Sequence, residues 1–351
     1  MQKLKNNNII YYVPVDLEYF DKWEYYKVDL KMLRDAHDNV YISNNILSFL
    51  SLIFSKKINL VYFWWFHSSC LIVLLSKLFR KKIIGTGAVH MFDESGALDF
   101  YKKSFLFRLA NRITWKFADK NLFISESQLR QITSHEKVNN PYVLKSSSIH
   151  DANELFKISK NKTPNVKINM LIICWLTKDQ IIRKSIPIIL KAISKLSTDE
   201  KDIIKLTIAG GSGDGIKFLK KQIKELNITD FINIEIDITN SRKQQLYIES
   251  DLYIQPSYYE GFGNAVLEAM TYGTPCLVSS YTAQPEVVRS SGYIINNITT
   301  EEVFNAIKSH ISKSDFERKE LISNVRDTVI NHHGYDKRLK EYLSLFKQED
   351  S

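Results

Sequence analysis

Cysteine is scarce in this 351-residue chain, and its three copies are Cys70, Cys174 and Cys276. They are odd in number, far apart and in apolar surroundings, which excludes a disulfide framework and a cysteine-based metal site. A reducing compartment is therefore expected. The N-terminal sequence also lacks an apolar stretch followed by small residues, which argues against a secretory signal peptide. Together these features predict a cytoplasmic protein.

The chain also lacks low-complexity tracts and internal repeats of solenoid length, so repeat architectures are excluded. Its hydrophobic fraction of 44 % and its charged fraction of 25 % are ordinary for a globular protein. A chain of 351 residues is longer than a single hydrophobic core usually fills. Two domains are therefore the expected arrangement.

Acidic residues are few between residues 56 and 120, where four of them accompany twelve lysines and arginines. The basic residues are interleaved with the aromatic residues Phe105, Phe107, Trp115 and Phe117. Such a mixture suits an anionic membrane surface, which we expect as a partner of residues 56–120. The alternative is that residues 101–117 form an amphipathic helix with a solvated basic face. No nucleic-acid reader motif accompanies the basic residues, so nucleic acid is not expected as a partner.

One apolar run, residues 58–79, has no charged residue before Lys77 and is long enough to span a bilayer. Its first part is rich in β-branched and aromatic residues. His67, Ser68 and Ser69 then interrupt it as a turn followed by a helix N-cap would. A strand followed by a buried helix therefore fits this run better than a membrane span.

Strand-like runs alternate with segments of helical spacing along both halves of the chain. In the first half these runs are residues 8–15, 39–43, 58–65, 81–89 and 120–125. In the second half they are residues 168–176, 205–211, 231–236, 251–257 and 274–280. Continuous apolar strands that alternate with helices predict α/β domains with parallel sheets covered on both faces. A polar stretch over residues 145–167 separates the two halves.

Open parallel sheets bind ligands beyond the carboxyl ends of their strands, so the loops after the strands are the places to look for a site. One such loop is "TIAGGSGDG", which places Gly210, Gly211 and Gly213 between a strand and a helical stretch. Glycines there let backbone N–H groups approach a phosphate or a nucleotide base. The spacing matches neither a Walker loop nor the dinucleotide fingerprint, so this signal is weak on its own.

A second loop, "YYEGFGNAVLEAM", places Glu260 before a predicted helix and Glu268 about two turns into it. Gly261 and Gly263 let the chain bend tightly and present N–H donors at the helix N-terminus, where the dipole favours an anion. Two carboxylates that flank such donors suit a ligand with hydroxyls at both ends and phosphate between them. A nucleotide sugar has that layout. The alternative is that Glu268 only faces solvent.

The segment "PSYYEGFGNAVLEAMTYGTPCLVS", followed by "PEVV", resembles the signature of the family-four retaining glycosyltransferases, within glycosyl transferases group 1. The resemblance extends over most of residues 168–300 and implies the GT-B fold, in which two Rossmann-like, doubly wound parallel-sheet domains face each other across a cleft. We expect residues 1–160 to form the domain on the acceptor and membrane side. Residues 161–327 would then bind the donor, and residues 328–351 would form a helix that crosses back to the first domain.

The resemblance also implies roles for single residues. Glu260 matches the glutamate that contacts hydroxyls of the donor sugar, and Glu268 matches the one that binds the ribose. The loop whose amides meet the sugar and the diphosphate corresponds to Gly261, Phe262, Gly263 and Asn264. The glycine loop near the nucleotide corresponds to Gly210, Gly211 and Gly213.

The family places an Arg and a Lys where they neutralise the leaving diphosphate, a charge that needs a cation when no metal is present. Lys184 matches the Lys, whereas Trp175 or a neighbour stands where the Arg is expected. Arg183 or Lys178 would substitute for it, and the alternative is that both are ordinary solvated cations. His90 follows a predicted strand and matches a histidine that touches the sugar or the reaction centre, although a lone histidine is more often structural.

The resemblance implies a retaining glycosyltransferase that moves a hexose or related sugar from a UDP- or GDP-sugar to a glycan or lipid-linked acceptor in bacterial surface polysaccharide synthesis. The chain has no Asp-x-Asp sequence, which argues against a metal-bound diphosphate, so neither a metal nor a cofactor is expected. A peripheral position on the inner face of the plasma membrane would follow from the basic segment. The alternative functions are a membrane-associated sugar-nucleotide binding protein and a GT-B-fold epimerase without transferase activity.

Overall fold

The structure is a computed structural model that describes residues 4–16, 20, 23–89, 99–148 and 167–347. These residues form two compact units. The first contains the described residues up to 148 together with residues 335–347, and the second contains residues 167–334. Each unit is built around its own six-stranded parallel sheet, so the α/β architecture predicted from the sequence is confirmed.

The sheet of the first unit has the strand order β2-β1-β3-β4-β5-β6. Its strands are β1 (Leu4–Tyr12), β2 (His37–Ser43), β3 (Leu60–Trp64), β4 (Lys82–Gly87), β5 (Lys120–Phe123) and β6 (Pro141–Val143). The helices between them are α1 (Glu24–Ala36), α2 (Ile46–Ser55), α3 (Cys70–Leu78), α4 (Phe105–Phe117) and α5 (Glu126–Thr133). The apolar run over residues 58–79 is therefore a strand followed by a helix, as predicted.

The connections of this sheet decide which face each helix covers. The chain runs outward from β1 to β2 at one edge, and every later connection runs in the opposite direction across the sheet. Because parallel β-α-β connections are right-handed, α1 covers one face and α2 to α5 cover the other. The contact between α3 and α4 agrees with this arrangement. Among the described residues, no helix combines the length and apolar character needed to cross a membrane.

The sheet of the second unit has the order β12-β11-β10-β7-β8-β9. Its strands are β7 (Ile168–Ile173), β8 (Ile204–Gly210), β9 (Ile232–Ile236), β10 (Leu252–Gln255), β11 (Cys276–Ser279) and β12 (Tyr293–Ile295). Its helices are α6 (Lys178–Arg183), α7 (Ile186–Ser194), α8 (Thr198–Asp202), α9 (Ile216–Glu225), α10 (Asn240–Glu249), α11 (Asn264–Thr271), α12 (Gln284–Val288), α13 (Thr300–Ile311) and α14 (Asp315–His333). The strand order reverses between β7 and β10, which makes the carboxyl ends of these two strands the expected ligand position.

A C-terminal helix, α15 (Tyr335–Lys347), packs on the first unit against α1. Its Arg338 forms a buried ion pair with Asp29 of α1 and donates to the carbonyl oxygen of Leu144 at 2.9 Å. The hydroxyl of Tyr342, fully buried, lies 2.9 Å from Nε2 of His37. A buried ion pair and a buried aromatic contact therefore fix the helix to the first unit.

Candidate active site

A network of buried polar side chains lies where the strand order of the second sheet reverses. Lys184 Nζ donates to the carbonyl oxygen of Ile173, the last residue of β7, at 2.7 Å. It also donates to Oε1 of Gln255, the last residue of β10, at 2.8 Å. Tyr253 of β10 donates its hydroxyl to the same Gln255 oxygen at 2.6 Å. The network therefore ties together the carboxyl ends of β7 and β10.

Glu260 joins this network from the loop after β10. Its Oε1 accepts hydrogen bonds from Arg183 Nη1 at 2.7 Å, from Gln255 Nε2 at 2.9 Å and from Ser257 Oγ at 3.1 Å. All three donors reach Oε1, which leaves Oε2 without a hydrogen bond from a described residue. The side chain is 14 % exposed, so the carboxylate is fixed by one oxygen while the other is available to a ligand.

The charge of Glu260 is set by two neighbouring cations. Burial alone would raise the pKa of the Glu260 carboxyl, but the positive charges of Arg183 and Lys184 outweigh burial and hold that pKa below its usual range. The carboxyl is therefore ionised at neutral pH and acts as a hydrogen-bond acceptor. Its backbone N–H donates to Thr282 Oγ1 at 2.9 Å, which fixes the loop as well as the side chain.

The guanidinium of Arg183 donates its hydrogen bonds to other groups of the protein. Besides Glu260, it donates to the carbonyl oxygen of Tyr259 and, through Nη2, to Gln180 Oε1 at 2.6 Å. Only 10 % of the side chain is exposed. Arg183 is therefore not a solvated surface cation, and in this structure it positions Glu260.

Lys184 is buried as well, at 6 % exposure. Burial lowers the pKa of its amine, and the charge of Glu260 offsets part of that effect. Both hydrogen bonds of Nζ go to groups at the strand ends, which holds the amine at the reversal point beside Glu260. The role of Lys184 toward a diphosphate stays a prediction.

Glu268 lies in α11 and does not merely face solvent. Its Oε2 accepts a hydrogen bond from the Tyr247 hydroxyl at 3.0 Å and pairs with Lys243 Nζ at 3.0 Å. The side chain is 23 % exposed. Two partners on one oxygen therefore hold this carboxylate in place at the edge of the buried region.

The glycine loop after β8 packs directly on the loop after β7. A Cβ on Gly210 would lie 1.7 Å from the carbonyl oxygen of Cys174, and one on Gly211 would lie 2.3 Å from the ring of Trp175. A Cβ on Gly213 would lie 2.6 Å from the backbone of Leu176. The close approach of the two loops already requires these glycines, so their presence alone does not assign a ligand to them.

The loop before α11 contains one position that favours glycine for conformation. Gly263 has φ = +104°, in the left-handed region, and precedes the first residue of α11, Asn264. Phe262 is buried at 1 % exposure and packs edge to face on His333, so its ring belongs to the core. Gly261 is buried and Asn264 is partly exposed. Of the side chains of these four residues, that of Asn264 is the one that is partly exposed.

Two further residues on the β7 side are exposed. Trp175, which stands where the family pattern has a cation, is 47 % exposed. Lys178 begins α6, is exposed, and holds its Nζ 5.7 Å from the centre of the Phe218 ring. Lys178 is therefore the solvent-accessible cation among the three that the sequence proposed for the diphosphate. His90 lies outside the described residues, so its prediction is unaffected.

The residues that build the site around Glu260 were missed by motif reasoning. Gln284 is fully buried, accepts from Ser279 Oγ at 3.1 Å and donates to the carbonyl oxygen of Gln255 at 2.6 Å. Ser257 donates its hydroxyl to Glu260. The available signal was Gln255 itself, a polar residue at the end of an otherwise apolar strand. In the described parts of the chain, no group of three or more His, Cys, Asp or Glu side chains has the arrangement of a metal site.

The second unit resembles a known protein family in sequence. Residues 178–328, which lie in the second unit, match the family of glycosyl transferases group 1, the family that the sequence resembles. An uncharacterized glycosyltransferase of Methanocaldococcus jannaschii is 27 % identical over 167 residues, which cover 47 % of this chain and 42 % of that protein. O-antigen chain mannosyltransferase B of Escherichia coli is 39 % identical over 69 residues, 20 % of this chain and 17 % of that protein. The chain therefore matches less than half of the length of these relatives.

Solved structures show the same fold over nearly the whole chain. Anabaena HepE in complex with UDP superposes with a TM-score of 0.73 at 15 % identity and covers 97 % of this chain and 100 % of that one. Sucrose-phosphate synthase of Thermosynechococcus elongatus gives a TM-score of 0.76 at 14 % identity, with 97 % and 99 % covered. This likeness confirms the predicted GT-B fold.

Proposed function

We propose that this protein is a retaining glycosyltransferase that moves a hexose or a related sugar from a nucleotide sugar to a glycan or lipid-linked acceptor. The observation that carries the proposal is the state of Glu260. Its carboxylate is ionised and buried at the point where the strand order reverses, and its Oε1 is held by three donors. A carboxylate fixed in this way is suited to bind sugar hydroxyls through its second oxygen.

The proposed reaction breaks the bond between C1 of the sugar and the diphosphate, and the acceptor hydroxyl bonds to C1 on the same face. The proton of that hydroxyl passes to the leaving phosphate oxygen. Negative charge then develops on the leaving phosphate. Lys178, Lys184 and the N-terminus of α11 are the groups assigned to that charge, and we propose that the reaction needs no metal. Glu260 positions the sugar and stabilises positive charge on its ring. Glu268 binds the ribose of the nucleotide.

Two relatives bear on the donor and on the process. The structure of HepE was also solved with UDP and glucose, and the Escherichia coli relative is an O-antigen chain mannosyltransferase. The UDP bound to HepE supports a nucleotide-sugar donor for this chain, for which we propose a UDP- or GDP-sugar. The O-antigen relative also supports a role in bacterial surface polysaccharide synthesis, which we propose takes place at the inner face of the plasma membrane.

The direct test is a donor screen. The full chain is incubated with UDP-, GDP- and CMP-sugars in buffer that contains a metal chelator, and released nucleotide is measured with and without acceptor glycans. We expect release of nucleotide from one UDP- or GDP-sugar. NMR of the product should show the same axial or equatorial configuration at C1 as in the donor. No release from any donor would remove the transferase, and inverted product would remove retention.

A membrane-facing surface is the second part of the proposal. Right-handed connections place α2, α3 and α4 on one face of the first sheet. Large apolar side chains on these helices are between 63 % and 81 % exposed: Leu47, Phe54, Leu78, Phe105 and Leu106. Exposed basic residues accompany them, among which are Lys56, Lys57, Lys102, Arg112 and Lys116. Apolar side chains surrounded by cations fit the interface of a bilayer that contains anionic lipid.

Vesicle flotation tests this surface. The full chain should float with vesicles of phosphatidylglycerol and phosphatidylcholine, and less with phosphatidylcholine alone or at high salt. Leu106→Asp should reduce flotation, whereas Phe316→Asp in α14, which replaces an equally exposed ring of the second unit, should not. Absence of flotation with anionic vesicles at low salt would remove the membrane from the proposal.

A further inference from the structure

The first sheet has a reversal point of its own, between β1 and β3. The connection from β1 leads outward to β2, while that from β3 leads the other way to β4. The helices after these two strands therefore lie on opposite faces, which makes the carboxyl ends of β1 and β3 an expected ligand position. Trp65 directly follows β3, and α1 follows β1.

A cluster of aromatic rings occupies this edge. The ring centres of Trp23 and Tyr25 lie 5.5 Å apart, and Tyr25 lies 4.9 Å from Trp64. Trp64 lies 5.7 Å from Trp65, whose Nε1 donates to the Tyr26 hydroxyl at 2.6 Å. Trp23, Tyr25 and Trp65 are partly exposed, whereas Tyr26 and Trp64 are buried beneath them. The cluster thus presents ring surface to solvent on a fixed base.

The backbone of Trp65 is strained. Its φ of +67° lies in the left-handed region, which a bulky side chain rarely adopts. Its N–H donates to the carbonyl oxygen of Thr86 at 2.9 Å, which fixes the strained residue on β4. Glycine or asparagine would adopt this conformation at lower cost. Backbone conformation therefore does not explain why a tryptophan stands at this position. Strain of this kind is typical of ligand-binding positions.

The charged side chain beneath the aromatic cluster, Asp29, is neutralised by an ion pair. Asp29 accepts from Trp64 Nε1 at 2.9 Å and from the Tyr62 hydroxyl at 2.8 Å, and its charge is paired with Arg338. Burial raises the pKa of the Tyr25 phenol, which keeps that group neutral. The rings therefore offer apolar faces, and among the described residues no uncompensated charge lies beneath them. This combination suits a neutral ring with one apolar face and polar edges, as in a pyranose, better than a phosphate.

We propose that Trp23, Tyr25 and Trp65 form a stacking subsite for a pyranose ring of the acceptor glycan. This inference rests on the proposed function, because it takes the second unit as the donor site and leaves the first unit for the acceptor. A nucleobase also stacks on aromatic rings, and it is the alternative that the experiment separates.

The experiment measures binding without turnover. Saturation-transfer NMR on the full chain uses a panel of gluco-, galacto- and manno-trisaccharides, with UDP and GDP as separate probes. We expect at least one trisaccharide to receive saturation at its ring C–H protons. Trp65→Ala should weaken its binding about tenfold or more, and Trp65→Phe, which keeps a ring, should weaken it less. Phe316→Ala, which removes an exposed ring of the second unit, should leave it unchanged.

The possible results separate the inference from the proposed function. If no trisaccharide binds, or if folded Trp65→Ala and Tyr25→Ala variants bind as the wild type does, the subsite is refuted. Loss of UDP or GDP binding in Trp65→Ala would also overturn it and assign a nucleobase to the rings. In an acceptor-free assay, the wild type should hydrolyse the accepted nucleotide sugar, which tests the proposed function apart from the subsite. Absence of hydrolysis in the wild type would instead count against the proposed function.

Discussion

Replacing Arg183 with glutamine should destabilise the second unit through Glu260. The two side chains are 10 % and 14 % exposed and their charged atoms are 2.7 Å apart. Removing one partner of a buried pair leaves the other charge uncompensated, at a typical cost of about 3–5 kcal/mol. Lys184 also lowers the pKa of Glu260, so its charge remains as partial compensation. We therefore expect about 3 kcal/mol, which corresponds to a fall of about 6–12 °C in the melting temperature for a unit of this size.

The effect should depend on pH in a stated direction. In the wild type the folded pKa of Glu260 lies below its ordinary value of about 4.3. Its stabilising contribution is therefore present above that ordinary value and is lost as the pH falls through the lower, folded value. Without Arg183 the folded pKa of Glu260 should be higher than in the wild type. The gap in melting temperature between wild type and Arg183→Gln should thus be widest near neutral pH and should narrow below about pH 4.

Thermal melts of the full chain at several pH values measure this effect. Lys191→Gln, which changes an exposed cation of α7, is the control and should shift the melting temperature little. The double variant Arg183→Gln with Glu260→Gln should be more stable than the sum of the single effects predicts, because it leaves no unpaired charge. A gap below 2 °C, or a gap that is the same at every pH, would refute the assignment of Arg183 as the partner of Glu260.

Three further predictions concern stability. Gly210→Ala should destabilise more than Gly263→Ala, because the first Cβ would lie 1.7 Å from a backbone oxygen and the second would meet its nearest atom at 3.6 Å. Burial and nearby cations lower the pKa of His310 to about 4. Lowering the pH from 7.5 to 5 should therefore reduce the free energy of unfolding of the wild type by about 2 kcal/mol, and His310→Phe should not show this loss. Arg338→Leu should cost about 3–5 kcal/mol by leaving Asp29 buried and unpaired.

Differential scanning calorimetry distinguishes these outcomes. Equal melting temperatures for the two glycine variants would contradict the close approach of the two loops. An unchanged acid sensitivity in His310→Phe would show that other groups cause it. For the C-terminal helix, Lys337→Leu is the matched control, because that cation is exposed. If both variants melt alike, the ion pair with Asp29 does not fix the helix.

The fold was predictable because its strands are buried and apolar. All ten strand-like runs correspond to strands of the structure. The two that were missed, β6 and β12, have three residues each and lie at sheet edges, and β6 begins with Pro141. Short edge strands carry little periodic signal, and proline is tolerated there because no ladder donor is needed. The missed strands therefore reflect weak local signal.

The site was predictable only in part. Glu260 and Glu268 were chosen as candidates because the loop motif places them near a helix start. The pairing of Arg183 with Glu260 joins residues 77 positions apart, and no local pattern specifies such a contact. Trp65 was hidden for a similar reason: its sequence suggests an ordinary strand residue, and only the strand order shows that it lies at a reversal point.

The central claim is that the Glu260 carboxylate holds the donor sugar. The most direct measurement is the rate of nucleotide release by Glu260→Gln with the accepted nucleotide sugar, compared with wild type and with Glu249→Gln as a surface control. We predict a loss of at least about a hundredfold, roughly the 2.7 kcal/mol expected for a charged contact made in the transition state, with wild-type rates for the control. Release by folded Glu260→Gln at the wild-type rate would contradict the claim.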